Sequence, residues 1–402
     1  MTHNWAGNIA YTATEIVRPT TVAELREVVA ARSRVRALGS RHSFNDLADT
    51  PGTLVSLEAL PPDITLTGHQ VSVSAGIRYG DVAAWLEARG KALPNLASLP
   101  HISVAGAVAT GTHGSGDGNG CLSTAVAALT FVTPTGDLRT VTRDDAEFAG
   151  SVVALGALGV VSRVTLDVLP TFLVRQAVYA DVPWEPAVAE LDAVLASGYS
   201  VSLFTNWVGP FSQVWVKSVA APAPDLFGVT PATEARHMLP GESVAAVTEQ
   251  CGVPGPWLDR LPHFRLGHKP SAGAELQTEY LVPRPAAVTA LTRLRDLAPL
   301  IAPLLQISEL RSVAADDLWL SGAYERDVLA VHFTWRLDVP GVAAVLPTIE
   351  AALLPLGARP HWGKVFHTTD IAGRYPKWRD FTELRRTHDP KNKFTNPYLN
   401  RL

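Results

Sequence analysis

The sequence predicts an α+β chain in two parts, on three observations. The first third alternates helix and strand signals around two small, uncharged, glycine-containing loops. After Pro170 come five stretches of strand-like alternation with two helical stretches among them. The 402 residues, 47% hydrophobic and 18% charged, suffice for two or three well-filled cores and exclude a disordered chain.

In chain order, Thr21 followed by Glu24 is a capping box for a helix through Ala31. Residues 35–38 read as a short buried strand closed by Gly39, and 71–75 as another. Asp81 is placed as the cap of a helix to Arg89, which Gly90 ends. Residues 98–120 are small and polar, with six glycines from Gly106 to Gly120. Strands are expected at 131–133, 140–142 and 160–168, with a helix from Asp144 towards Leu155. Pro170 marks a boundary. The second part has candidate strands at 200–207, 213–219, 275–282, 305–313 and 328–337. Helices fit 286–297 and 342–354, and the Pro-rich stretch 220–240 reads as a long surface connection. No internal repeat is visible.

Composition narrows the function. A net charge of −4 argues against nucleic acid or an acidic membrane as the main partner. Two cysteines, Cys121 and Cys251, make no disulfide framework, and no Cys or His spacing suggests a metal site. The first residues lack a secretory pattern, and no apolar run reaches the ~20 residues of a membrane span. The expected location is therefore the cytoplasm. No G-x-G-x-x-G after a strand, P-loop, H-E-x-x-H or G-x-S-x-G is present.

What is present is backbone suited to close approach. Gly39-Ser40-Arg41-His42-Ser43 follows a strand, and Gly106-Ala107-Val108-Ala109-Thr110-Gly111-Thr112-His113-Gly114 follows a second polar loop. Such backbone, with hydroxyls beside it, can cradle a pyrophosphate. Each loop alone is an ordinary turn; two in one part favour a nucleotide-like ligand. Residues two apart on a strand share a face. Gln277 and Glu279 do so, as do Glu309 and Arg311, and His332, Thr334 and Arg336. Coinciding faces would make a wall of hydrogen-bonding groups for a polyhydroxylated ligand; a solvated sheet face with salt bridges fits the spacing equally. Only seven of the 34 basic residues are lysines, and Lys364 stands in an apolar setting, Pro360-His361-Trp362-Gly363-Lys364. A surface lysine is the default there. Cys121 reads as a small buried residue.

Four motifs carry a resemblance. Asn4-Trp5-Ala6-Gly7-Asn8, Leu38-Gly39-Ser40-Arg41-His42-Ser43-Phe44, Ala97-Ser98-Leu99-Pro100-His101-Ile102-Ser103-Val104-Ala105-Gly106 and His361-Trp362-Gly363-Lys364 resemble the bacterial alditol oxidases, which are vanillyl-alcohol-oxidase-like flavoproteins near the aldonolactone oxidases. The likeness runs to Lys393-Phe394-Thr395-Asn396. One departure is Arg41, where the family leads one to expect glycine. The resemblance implies a two-part FAD-binding domain of vanillyl-alcohol-oxidase type at 1–170, a substrate domain with a helix-covered antiparallel sheet at 171–365, and a segment 366–402 returning to the first.

It also implies roles. FAD would be covalently attached through His42 and held by Ala37, Leu38, Gly39, Ser40, Arg41, Ser43, Ser98, Ser103, Gly106, Ala107, Val108, Ala109, Thr110, Gly111, Thr112 and His113, with His361 approaching from the other domain. Ser98, Gln277, Glu309, Arg311 and Thr334 would bind substrate. Lys364 and Arg311 would stabilise negative charge at the reacting oxygen, and Glu309 would fix register along the polyol. His332 is a candidate base because an ordinary histidine titrates near neutrality. The implied reaction oxidises the terminal hydroxyl of xylitol or sorbitol and reduces O2 to hydrogen peroxide, in a monomer without nucleic-acid or membrane partners. An aldonolactone oxidase or dehydrogenase and a flavin-dependent reductase are the alternatives.

Overall fold

The computed structural model describes residues 2–219, 222–268 and 274–402. The Thr21 hydroxyl accepts from Glu24 N at 3.1 Å, and the Glu24 carboxylate accepts from Thr20 N at 2.7 Å, which starts the helix Val22–Ala31. Leu25 and Val29 are its buried stripe. The strand Val35–Leu38 lies at one edge of a parallel sheet whose order is Glu15–Val17, Thr53–Ser56, Val35–Leu38. Beside it stands an antiparallel sheet in the order Ile64–Thr67, Gln70–Ser74, Val160–Asp167, Val126–Val132, Leu138–Thr142.

Three local expectations change. The helix Tyr79–Glu87 is capped by Arg78, and Asp81 lies inside it, gripping the Arg78 guanidinium at 2.8 Å. The helix expected from Asp144 shrinks to Phe148–Val152, because the Asp145 carboxylate accepts from Thr142 N at 2.7 Å and holds the chain in a turn. Within the small polar stretch, Val104–Ala109 is a short helix.

The second part is built on an eight-stranded sheet. Its spatial order is Gly255–Pro256, Leu173–Val182, Phe211–Ser218, Ser200–Thr205, Leu305–Val313, Val328–Arg336, Glu275–Pro283, Arg359–Pro360. The pairings are antiparallel. Helices Ala287–Asp296 and Val339–Leu353 cover one face, packing Leu291, Leu294, Leu346 and Ile349 with Tyr280, Val331 and Phe333. Residues Val339–Leu356 are apolar enough over 18 residues to cross a bilayer by composition alone. Here Val342, Leu346, Ile349 and Leu353 of that stretch are buried in the domain core. Of the Pro-rich connection, Ala220 and Ala221 lie outside the described residues. The rest is only partly a surface loop, since Leu226 and Met238 are buried.

The chain end closes on the first part. The buried Arg36 guanidinium donates to the carbonyls of Phe394 at 2.9 Å, Leu47 at 2.7 Å and Leu155 at 2.8 Å. Lys393 Nζ donates to Val29 O at 2.7 Å and Pro134 O at 2.6 Å. These cations bind carbonyls at five separate places in the chain, which fixes the loops that line the site.

Candidate active site

The face of the large sheet opposite the helices carries the polar residues singled out by alternation. Register aligns them in rows across three strands: Glu279 opposite His332, His332 opposite Glu309, and Gln277 opposite Thr334. Gln277, Glu279, Glu309, Arg311, His332 and Thr334 line one cavity of about 560 Å3, together with Ser98, His361 and Lys364. The solvated-face alternative does not describe them: Glu309, Arg311 and His332 are 6%, 5% and 6% exposed. Arg336, the last residue of the alternation, is exposed at the strand end and does not line the cavity.

The centre of this wall is Glu279, which sequence reasoning placed on the right face and then left out of the site. It is 1% exposed. Arg311 donates to its Oε1 at 2.8 Å, Lys364 Nζ lies 2.9 Å from Oε2, and His113 Nε2 is 3.3 Å from Oε1. Burial alone would raise its pKa, but Lys364, His113 and Arg311 outweigh it and hold the carboxyl well below its ordinary value. Glu309 is likewise lowered against the pull of burial, by Arg311 at 3.6 Å and His263 at 2.6 Å. Arg311 also donates to Ser98 Oγ at 3.2 Å. Lys364 is pushed below an ordinary lysine by burial, with Glu279 opposing that fall.

His332 differs from the expectation of a near-neutral pKa. Burial, and then Lys364, lower it to about 4. Its Nδ1 is 2.7 Å from Lys364 Nζ and its Nε2 is 3.1 Å from Thr334 Oγ1. A protonated Lys364 can only donate, so Nδ1 accepts and Nε2 carries the hydrogen. In that state His332 presents a donor to the cavity side, and it becomes a proton acceptor there only when Lys364 has given up a proton.

The first part supplies the other wall. Ser40 N donates to Ser103 Oγ at 3.3 Å and Ser103 N donates to Ser40 Oγ at 3.1 Å, which locks the two glycine loops together. A Cβ at Gly39 or Gly106 would stand 2.7 Å from Ser103 Oγ. Ala37 to Ser43, Ser103, Gly106, Ala107, Ala109, Thr110, Thr112 and His113 line the same cavity. Val108 and Gly111 do not. Val108 is buried in the core, and Gly111 turns the backbone at φ +62 over Val153. Arg41 adopts φ +65, the left-handed conformation that glycine takes freely, which explains why glycine was expected there. The His42 ring stacks on Trp5 at 5.3 Å, and its Nδ1 is buried without a hydrogen-bond partner. His361 accepts from Gly363 N at 3.1 Å and meets the His113 ring edge-on at 5.9 Å.

Two further residues, His263 and Lys217, are absent from the sequence expectations, while Glu279 is there on the face of Gln277 but without a site role. His263 sits in an irregular connection where no periodicity applies. His113, Glu279 and His361 place ligand-type atoms within 4.8 Å of one another. A divalent cation there would meet the fixed positive charges of Arg311 and Lys364, already on both Glu279 oxygens. Cys121 is buried with its thiol pushed up to about 12 by burial, the inert state expected.

Residues 13–142 match a family described as FAD binding domain, and residues 274–402 match D-arabinono-1,4-lactone oxidase. The chain is 47% identical to the alditol oxidase of a Streptomyces species, over 99% of this chain and 98% of that protein. It is 29% identical to an L-gulono-1,4-lactone dehydrogenase of Mycobacterium tuberculosis, over 99% and 98%. In structure it is similar to a solvent-stable cholesterol oxidase, with a TM-score of 0.80 at 17% identity over 99% of this chain and 96% of that one. The site fits FAD: the two glycine loops, packed too closely on Ser103 for a Cβ at Gly39 or Gly106, line the cavity with backbone that can hold a diphosphate, and His42, whose buried Nδ1 has no hydrogen-bond partner, lines the same cavity. The chain belongs to the alditol oxidase family of FAD-dependent oxidoreductases, within the vanillyl-alcohol-oxidase-like flavoproteins.

Proposed function

We propose that this protein oxidises the terminal hydroxyl of a linear polyol, such as xylitol or sorbitol, to the aldose, with O2 reduced to hydrogen peroxide and FAD held covalently through His42. The observation that carries this reading is the buried polar wall of three strands, which alternates fixed donors and acceptors along one cavity. A polyol hydroxyl both donates and accepts, and Arg311 with Glu309 offers both kinds of partner two residues apart. FAD, when bound, supplies the two-electron acceptor for the alcohol and passes those electrons to O2.

The chain's own residues do the rest. Ser98, held by Arg311 at 3.2 Å, can position the reacting hydroxyl. Lys364 and Arg311 keep positive charge beside the oxygen that loses its proton, in a setting where burial strengthens the effect. Glu279 holds both cations in place. Thr334 and Gln277 extend the row of partners along the substrate. At His42, burial lowers the pKa to about 4, so the ring is neutral at physiological pH and has a nitrogen lone pair available for a covalent bond.

The match of residues 274–402 to a lactone oxidase supports a second reading, in which an aldonolactone is the substrate on the same wall. Peroxide formed per O2 consumed, compared with xylitol, sorbitol and L-gulono-1,4-lactone, separates them. The polyol reading expects peroxide with the polyols and none with the lactone; the reverse overturns it. Acid-precipitated protein is expected to stay yellow, and His42→Ala to release its flavin. Flavin freed from the wild type would refute the tether.

A further inference from the structure

Behind Glu309, on the side away from the cavity centre, lies a buried chain of polar atoms that the mechanism above does not use. His263 Nε2 is 2.6 Å from Glu309 Oε1. On the other edge of the same ring, Lys217 Nζ is 3.0 Å from Nδ1. Lys217 is 1% exposed and His263 is 4% exposed. Lys217 Nζ also donates to Leu261 O at 2.5 Å and Pro262 O at 3.3 Å. An ammonium has three hydrogens, and these three acceptors use all of them.

The chemistry of this chain has one consistent direction. Burial lowers the Lys217 pKa to about 7, so below neutral pH it is charged; in that state it cannot accept, and His263 Nδ1 is the acceptor. The ring is neutral, since burial and then Lys217 lower its pKa to about 4. Its single hydrogen therefore sits on Nε2 and points at Glu309 Oε1. Arg311 Nε approaches that same oxygen at 3.6 Å. Among the described residues, the contacts of Glu309 fall on Oε1, while the carboxylate lines the cavity. Oε2 is thus the oxygen left for a ligand. Ser202 Oγ, 3.5 Å from Nε2, is too distant to compete well with the carboxylate.

We propose that Lys217 and His263 are positioning residues: Lys217 fixes the His263 tautomer, and His263 in turn fixes the Glu309 carboxylate with its free oxygen towards a substrate hydroxyl. The substrate half of this statement rests on the polyol reading; the tautomer half does not. Without Lys217, Nδ1 loses the donor that reserves it as an acceptor, so the His263 hydrogen can populate Nδ1, and Nε2 would then turn a lone pair towards an anion. That arrangement repels Glu309 and unlocks it.

Two measurements test the proposal. NMR of the holoenzyme with isotope-labelled histidine at pH 6, where Lys217 is charged and His263 neutral, reads the tautomer directly and needs no substrate. His263 is expected as the Nε2–H form in the wild type and as a mixture, or the Nδ1–H form, in Lys217→Met. An Nδ1–H tautomer in the wild type overturns the relay. Kinetics with xylitol supply the second. Lys217→Met and His263→Leu are each expected to lower kcat/KM about tenfold or more, yet by less than about threefold when added to Glu309→Ala, since they act through Glu309. His263→Gln, whose amide can accept from Lys217 and donate to Glu309, is expected within about fivefold of wild type. Flavin content, read from visible absorbance, should be unchanged in all. Equal losses with and without Glu309 would reduce the pair to structural support and overturn the assignment. If Lys217→Met fails to fold, the contrast between His263→Leu and His263→Gln, together with the wild-type tautomer, decides. A wild type inactive on polyols with the Nε2–H tautomer intact counts against the polyol reading, and the same cycle is then run on the lactone.

Discussion

Replacing Glu279 by glutamine keeps the shape of the side chain and removes the charge on which the site converges. The pair Lys364–Glu279 is 2.9 Å apart, and at an effective dielectric of about 20 its Coulomb energy is about 6 kcal/mol. Desolvation offsets much of that, and breaking a buried pair by removing one partner typically costs about 3–5 kcal/mol. The loss falls unequally. Arg311 retains Glu309 at 3.6 Å, whereas Lys364 has no second carboxylate at salt-bridge distance among the described residues. Its pKa, already lowered by burial, should fall further, because Glu279 is the main influence raising it. Glu279→Gln should therefore lower the thermal midpoint and slow anaerobic flavin reduction by xylitol about a hundredfold at pH 7.5. Part of the rate should return as pH is lowered and Lys364 regains its proton. Stopped-flow reduction from pH 6 to 9, with covalent flavin checked, is the assay. A rate within about threefold of wild type with an unchanged pH profile would refute the reasoning.

Glu309→Ala and Arg311→Ala should each lower kcat/KM severely while FAD stays attached, and the double variant should be little worse than the worse single; additive losses in the kinetics would separate the two residues. Arg41→Gly should raise stability by about 1 kcal/mol, measured by thermal unfolding, because it removes a side chain from a left-handed backbone position. Lys217 should give a pH-dependent contribution to stability. Burial lowers its pKa to about 7, with Glu309 raising and Arg311 lowering it and His263 in contact, against about 10.4 in an unfolded chain. Between those values the unfolded chain binds the extra proton, so stability from this group rises with pH. Denaturation midpoints of wild type minus Lys217→Met should therefore increase from pH 6.5 to 9.5, and a flat difference would contradict it.

Period-two alternation exposes most of the polar wall in the sequence. The five expected strands all form, and Gln277, Glu309, Arg311, His332 and Thr334 share one cavity. Alternation reports which face a side chain takes, not what it meets there. That is why Glu279 could be seen beside Gln277 without its role as the hub of two cations being visible. The strands Glu15–Val17 and Thr53–Ser56 were illegible because they are short and owe their existence to parallel pairing with distant segments. His263 and Lys217 come together from an irregular connection and a strand whose separation no local pattern encodes. The pKa of His332 was misjudged for a related reason: burial and a neighbouring lysine set it, and both are tertiary facts.

On the proposed function, the polar wall reads several hydroxyls of one substrate at once. Each well-made hydrogen bond is worth about 1 kcal/mol, so kcat/KM should climb steeply from ethanol through glycerol to xylitol and sorbitol. Anaerobic flavin reduction across that series, in wild type and in Glu309→Ala, tests it most directly. Five- and six-carbon polyols should exceed ethanol by orders of magnitude in the wild type, and Glu309→Ala should narrow that difference by about tenfold. Comparable kcat/KM for ethanol and xylitol would contradict it.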